Sequence, residues 1–105
     1  MNRELRLTPA ALETLRELEQ SLQQEGLLKQ VRKTLGFLET NPRHPSLQTH
    51  KFRSLRGPNG EEVFEAYVQN QTSDAYRVFF CYGPDRLEGK RRIPVLTIVA
   101  ITPHP

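Results

Sequence analysis

The chain has 105 residues, of which 36% are hydrophobic and 26% charged, a composition typical of one globular domain and unlike that of a disordered segment. No apolar run approaches the ~18 residues of a membrane-spanning helix, and no apolar segment follows the basic residues near the start, so we expect neither a membrane span nor a secretory signal. Cys81 is the one cysteine, which excludes an internal disulfide, and we expect a cytoplasmic protein.

The positive charge lies in the second part of the chain. The net charge is +3, and residues 41–105 hold nine Lys/Arg against six Asp/Glu, whereas residues 1–40 hold six of each. Basic surface on one half of a small domain indicates a polyanionic partner, with an ordinary solvated surface as the alternative. The basic residues form two clusters, Arg43, Lys51, Arg53 and Arg56 in one and Lys90, Arg91 and Arg92 in the other.

The first part of the chain predicts one short strand followed by two helices. Residues 4–7 alternate polar and apolar, as in a strand. Thr8 then has the residue type of a helix N-cap and Pro9 that of a first-turn residue. Leucines at helical spacing continue this helix until Gly26, and a second amphipathic helix ends at Asn41. So short a connection predicts an antiparallel helical hairpin.

The second part predicts an antiparallel meander of four strands. One of them is apolar and aromatic on both faces, which is typical of the centre of a sheet. A Gly-Pro-Asn-Gly sequence marks a turn, a second turn is expected at 70–74, and residues 84–94 read as a polar loop between prolines. The chain is therefore predicted to be a single α+β domain over 1–105, a helical hairpin on one face of a curved, mostly antiparallel sheet in the order β-α-α-β-β-β-β. The four strands are expected at 50–55, 63–69, 75–84 and 95–101.

Arg77 is the first candidate for function, because it interrupts the most apolar strand. A guanidinium is rarely buried without a partner or a ligand, and its planar donors suit bidentate contact with a phosphate. The alternative is a cross-strand ion pair with Glu65. The sheet face opposite the helices is predicted to carry the polar side chains of Lys51, Arg53, Glu65, Tyr67 and Arg77.

Two histidines are candidates for proton transfer, for which an imidazole is well suited near neutral pH. His104 lies between two prolines beside the C-terminus, and His50 lies at the start of a strand; the alternative for each is no catalytic role. His44 is expected only to be solvated. The histidines lack metal-ligand spacing, and no phosphate-binding glycine loop or Ser or Cys nucleophile motif is present. We therefore predict no metal and no cofactor.

The order of these short motifs resembles that of the RelE/ParE superfamily of toxins from type II toxin–antitoxin systems, over nearly the whole chain. The matching segments are an opening strand leading into TPAALETL, the helical hairpin, HKFRSLRG with its Leu-x-Gly, EAYV, AYRVFFCY with its arginine, and a last strand ending in TPHP. The resemblance implies a helical hairpin packed on a curved sheet, and a protein neutralised by a cognate antitoxin that wraps the helices and sheet.

For the members that cut messenger RNA on the ribosome, the resemblance implies a metal-free site on the concave face. Arg77 would hold the scissile phosphate, His50 would act as base and His104 as acid in an attack by the ribose 2′-hydroxyl. A homodimer or a toxin–antitoxin assembly is expected. The residues predicted to contact substrate are Lys51, Arg53, Arg56, Glu65, Tyr67, Lys90, Arg91 and Arg92.

Two other functions remain open from the sequence. A ParE-like member would inhibit DNA gyrase by binding and would need no acid/base pair, and a degenerate member would retain the fold as a binding module. Two departures from the family bear on this choice. Glu65 stands where many members carry a basic residue, and the 84–94 loop is longer than the usual tight turn.

Overall fold

The computed structural model describes residues 2–68 and 75–103, so the turn predicted at 70–74 lies outside the described residues. Within these ranges the chain forms two helices and seven strands. Neither helix there has the length and apolarity needed to cross a membrane. The elements are β1 (Glu4–Leu7), α1 (Pro9–Gln20), α2 (Glu25–Thr40), β2 (His50–Arg56), β3 (Glu62–Tyr67), β4 (Tyr76–Tyr82), β5 (Arg86–Glu88), β6 (Arg91–Ile93) and β7 (Val95–Pro103).

Five strands form one sheet in the order β1-β7-β4-β3-β2. β1 pairs parallel with β7, and every other neighbouring pair is antiparallel. β4 is the central strand, as its apolar and aromatic composition predicts, and β7 lies inside the sheet as expected. The predicted α+β class, with a helical hairpin on a mostly antiparallel sheet, is confirmed.

Both helices pack on the same face of the sheet. The apolar stripes of the helices form one core with alternate residues of the central strands. Leu38 of α2 and Val78, Phe80 and Ile98 of the strands are all fully buried in it. The predicted cap at Thr8 is present: its hydroxyl accepts a hydrogen bond from Ala11 N at 3.2 Å and donates one to the Val99 carbonyl at 2.7 Å. The cap thus fixes the start of α1 against β7.

The end predicted for the first helix at Gly26 is wrong. α1 ends at Gln20, residues 22–24 form a 3₁₀ turn, and Gly26 lies in the first turn of α2. Leu22, which continues the leucine spacing, is 86% exposed because the chain has already turned there. Across the turn, an Arg32 Nη2 to Glu19 Oε2 ion pair at 3.0 Å joins the two helices.

The segment predicted as a loop between prolines is a β-hairpin. β5 and β6 pair antiparallel around Gly89, whose φ of +61° favours glycine. Arg86 donates two hydrogen bonds, of 2.9 and 3.1 Å, to the carboxylate of Glu4 on β1, and this contact holds the pKa of the Glu4 carboxyl below its usual value. The hairpin is therefore attached at the β1 edge of the sheet.

Two glycines give opposite predictions for stability. A Cβ on Gly57 would clash with the Glu61 side chain and lie 2.9 Å from the buried Cys81 Sγ, whereas a Cβ on Gly36, on the exposed side of α2, would meet no atom within 4 Å. We expect Gly57→Ala to lower the free energy of unfolding by about 1–3 kcal/mol and Gly36→Ala to raise it by about 1 kcal/mol. Urea denaturation measures both, and equal midpoints for the two variants would contradict the packing described at Gly57.

Candidate active site

Arg77 lies on the sheet face opposite the helices, and only 5% of the residue is exposed to solvent. The residue opposite it on β3 is Tyr67, and the guanidinium carbon lies 3.9 Å from the centre of the Tyr67 ring. Arg77 Nη1 also donates to the carbonyl of Tyr76 at 3.0 Å. The guanidinium therefore lies over an aromatic ring in a largely dehydrated position, a geometry that favours a cation–π contact.

A buried carboxylate and a histidine form the second part of the site. His50 on β2 lies opposite Glu65 on β3, and His50 Nε2 is 2.6 Å from Glu65 Oε1. The Glu65 side chain is 2% exposed, whereas the His50 side chain is 49% exposed. The Glu65 carboxylate is therefore buried, whereas its His50 partner is partly exposed to solvent.

The other ring nitrogen of His50 is also engaged. Nδ1 lies 3.0 Å from the carbonyl oxygen of Gln48, a residue held at a positive φ of 47°. A carbonyl accepts but does not donate, so this contact is a hydrogen bond when Nδ1 carries the proton. Both ring nitrogens of His50 therefore lie against an oxygen atom.

A register shift in β2 produces this pairing. Near the turn, Arg56 lies opposite Glu62, and an uninterrupted ladder from there would place Arg53 opposite Glu65. The ladder is irregular between Lys51 and Arg56, and His50 occupies that place instead. Sequence reasoning missed the His50–Glu65 pair because a β-bulge leaves no periodic signal of its own.

The same register corrects the face predicted for Lys51. Lys51 lies opposite Phe64, on the helix side of the sheet, and its Nζ contacts Glu62 Oε1 at 3.0 Å. Residues that face each other across an antiparallel pair share a face, so Lys51 does not project with Glu65, Tyr67 and Arg77. The prediction that those three share one face is confirmed.

The face around Arg77 is more apolar than predicted. Phe79, Val63 and Cys81 form a second buried cluster there, with Phe52 and Leu55 packed against it, and burial raises the pKa of the Cys81 thiol. Beside this cluster a groove of about 700 Å³ opens. We call it the apolar groove; it is lined chiefly by Ala10, Phe52, Leu55, Phe79, Ala100 and Thr102.

The predicted basic residues do not gather at Arg77. Arg53 and Arg56 are exposed on β2, at one edge of the sheet. Lys90, Arg91 and Arg92 lie at the exposed hairpin, which Arg86 attaches to β1 at the opposite edge. With strands about 4.8 Å apart, the two edges of the sheet are separated by roughly 19 Å.

Two further predictions concern the acid and the metal. His104 lies outside the described residues, and the last described residues of β7 place Thr102 opposite Arg77. Among residues 2–68 and 75–103, no group of three or more His, Cys, Asp or Glu side chains is arranged to hold a metal ion. The acid role of His104 stays a prediction.

The Tyr67 ring is expected to stabilise Arg77. Tyr67→Leu keeps apolar bulk but removes the ring, so we expect the free energy of unfolding to fall by about 1–2 kcal/mol. Tyr67→Phe, which keeps the ring, serves as the matched control and should change it by less than about 0.5 kcal/mol. Equal losses in the two variants by urea denaturation would show that the ring face contributes nothing to holding Arg77.

Comparison with known proteins finds a similar fold but no similar sequence. No family model matches the sequence, and no curated protein matches it. In structure the chain is similar to a YoeB dimer from Staphylococcus aureus, with a TM-score of 0.59 and 11% identity over 100% of both chains. At this identity the likeness concerns the fold. The chain therefore has the fold of RelE/YoeB-type toxins, and the fold that the sequence motifs implied is confirmed.

Proposed function

We propose that this protein is the toxin of a type II toxin–antitoxin system and a ribosome-dependent endoribonuclease that cuts messenger RNA. The observation that carries the proposal is the group formed by the buried Arg77 and Glu65 with the partly exposed Tyr67 and His50, on the sheet face opposite the helices in a RelE/YoeB-type fold. It supplies a cation, a carboxylate and an imidazole within one short stretch of adjacent strands. These groups are what metal-free phosphodiester cleavage requires.

Arg77 is assigned to the scissile phosphate. Its guanidinium is 5% exposed, and charge interactions are stronger in such a dehydrated position than in water. The Tyr67 ring and the Tyr76 carbonyl hold it in place, so little ordering is needed when a phosphate arrives. The fork of donors can then stabilise the negative charge that builds up on the phosphorus oxygens.

The His50–Glu65 pair is assigned to the base. The half-exposed imidazole donates from Nε2 to Glu65 and takes the proton of the ribose 2′-hydroxyl on Nδ1, where the hydroxyl replaces the Gln48 carbonyl. Glu65, 2.6 Å from Nε2, stabilises the resulting imidazolium. We prefer the pair to His50 alone because a carboxylate beside an imidazole fixes its orientation and compensates the positive charge that it gains.

The remaining step is protonation of the leaving group, which we assign to His104. The 2′ oxygen forms a bond to phosphorus, the bond from phosphorus to the 5′ oxygen breaks, and His104 donates a proton to that oxygen. The products are a 2′,3′-cyclic phosphate and a 5′-hydroxyl, and the proton taken by His50 balances the one given by His104. No oxidant or added nucleophile enters this step.

The antitoxin is assigned to the apolar groove. The groove has a volume of about 700 Å³ and is lined by Phe52, Leu55 and Phe79 beside the site, so an apolar segment of an antitoxin seated there would block access to Arg77. The similar YoeB structure is a dimer, and we propose that this chain also works within a homodimer or a toxin–antitoxin assembly.

Expression in a bacterial host separates this function from its rivals. Growth arrest with cleaved messages supports the nuclease. Arrest with induction of the DNA-damage response and intact messages supports a ParE-like gyrase inhibitor, and unaffected growth supports a binding module. Transcript mapping beside a damage-response reporter distinguishes all three outcomes.

Substitutions test the residues. We expect Arg77→Ala and His104→Ala each to abolish growth arrest and message cleavage, because one removes the phosphate contact and the other the proton donor. Arg16→Ala, which removes the same charge as Arg77→Ala from the exposed side of α1, is the control and should remain fully toxic. Circular dichroism should show folded protein for all three. Full toxicity in His104→Ala would rule out the acid assignment.

A further inference from the structure

A second groove, of about 610 Å³, opens at the start of β2. The connection after α2 forms one wall, and residues from three strands form the other. We call it the β2 groove. The residues that give it its chemistry are Arg43, His44, His50, Lys51, Phe64 and Tyr82.

The β2 groove is basic. The described residues that line it include Arg43 and Lys51, both exposed, and no acidic residue. Glu62 contacts Lys51 from outside the lining at 3.0 Å, and both side chains are about half exposed, so this pair is weak in water and leaves the lysine able to meet another anion. Arg3 adds a further cation, with its guanidinium carbon 4.9 Å from the centre of the Tyr82 ring.

The β2 groove also presents fixed aromatic rings. Tyr82 is 38% exposed, and its ring meets those of Phe64 and Phe80 edge-on, at centroid distances of 5.6 and 5.7 Å. On the opposite wall, the His44 ring stacks on Phe37 at 4.0 Å. The backbone N–H of Ser46 donates to His44 Nδ1 at 3.2 Å, which fixes the orientation of that ring.

One buried polar atom in the lining has no hydrogen-bond partner within the described ranges. This atom is Thr49 Oγ1. A hydroxyl can both donate and accept, so it can bind a polar edge of a ligand. A groove that combines cations, fixed rings and an unused hydroxyl has the features of proteins that bind single-stranded nucleic acid.

We propose that the β2 groove binds a nucleotide unit of single-stranded RNA, with the base against Tyr82 and the phosphates on Arg43 and Lys51. His50 lines the groove and pairs with Glu65 on the sheet face opposite the helices, so this one residue belongs both to the groove and to the proposed active site. The proposal deepens the proposed nuclease function, because it assigns an RNA contact away from the reacting phosphate.

Binding is measured without cleavage. The probe is a fluorescein-labelled 2′-O-methyl hexaribonucleotide, which lacks the attacking hydroxyl, and anisotropy is recorded with the purified full chain over a range of salt concentrations. We expect Tyr82→Leu to weaken binding about 5-fold or more and Tyr82→Phe to leave it unchanged. Lys51→Ala should weaken binding and reduce the slope against log salt by about 1, as loss of one phosphate contact requires.

The controls decide between a groove and a general basic surface. Lys29→Ala removes the same charge as Lys51→Ala from the exposed side of α2, outside the groove, and should bind within about 2-fold of the unmodified chain. Equal losses in Lys51→Ala and Lys29→Ala, or unchanged binding in a Tyr82→Leu variant that urea denaturation shows to be folded, would overturn the proposal. So would an acidic peptide that displaces the RNA equally well from the unmodified chain and from Tyr82→Leu, because a protein partner would then fit better.

The nuclease function and the β2 groove assignment can be refuted independently of each other. Arg77 lies outside the groove, so Tyr82→Leu should weaken probe binding by the same factor in an Arg77→Ala background as in the unmodified chain. A chain that binds the probe through Tyr82 and Lys51 but cuts no message would retain the β2 groove assignment and refute the nuclease. If instead the protein cuts messages, and Tyr82→Leu and Lys51→Ala change neither the cutting rate nor probe binding, the nuclease function stands and the β2 groove assignment is refuted.

Discussion

The pairing of β3 with its two neighbours is the constraint on which the site depends. On one side the ladder to β4 places Tyr67 opposite Arg77, and on the other the shifted ladder to β2 places His50 opposite Glu65. Because side chains alternate between the faces of a sheet, a slip of one residue in either ladder would turn a member of the group toward the helices. The apolar cluster of Val63, Phe79 and Cys81 beside the group holds both registers in place.

Burial beside that cluster strengthens the electrostatic interactions of the Arg77 guanidinium and the Glu65 carboxylate. A guanidinium and a carboxylate that are each at most 5% exposed lose most of their hydration, and such groups are stable only with partners around them. The Tyr67 ring, the Tyr76 carbonyl and the His50 imidazole supply those partners. A site already dehydrated and oriented in this way needs little reorganisation when a charged transition state forms.

Much of the fold follows from local signals in the sequence, while the site depends on details that such signals lack. The Thr8 cap, the largely apolar and aromatic central strand and the Gly57–Gly60 turn each have a short-range physical cause, and each is present. The face predicted for Lys51 was wrong and the His50–Glu65 pair was missed because an irregularity in β2 shifts its register, and such shifts are not encoded in periodicity. The β5–β6 hairpin was missed because it is polar and is held by the long-range Glu4–Arg86 contact.

The chemistry at the ends of the cut RNA tests the central claim most directly. Messages from a translation extract treated with the protein are sequenced by methods that distinguish end groups. Attack by the 2′-hydroxyl, with Arg77 on the phosphate, predicts fragments with 2′,3′-cyclic phosphate and 5′-hydroxyl ends, and their loss in Arg77→Lys, since a lysine cannot reproduce the planar fork. Fragments with 3′-hydroxyl and 5′-phosphate ends, or unchanged cutting in Arg77→Lys, would contradict it.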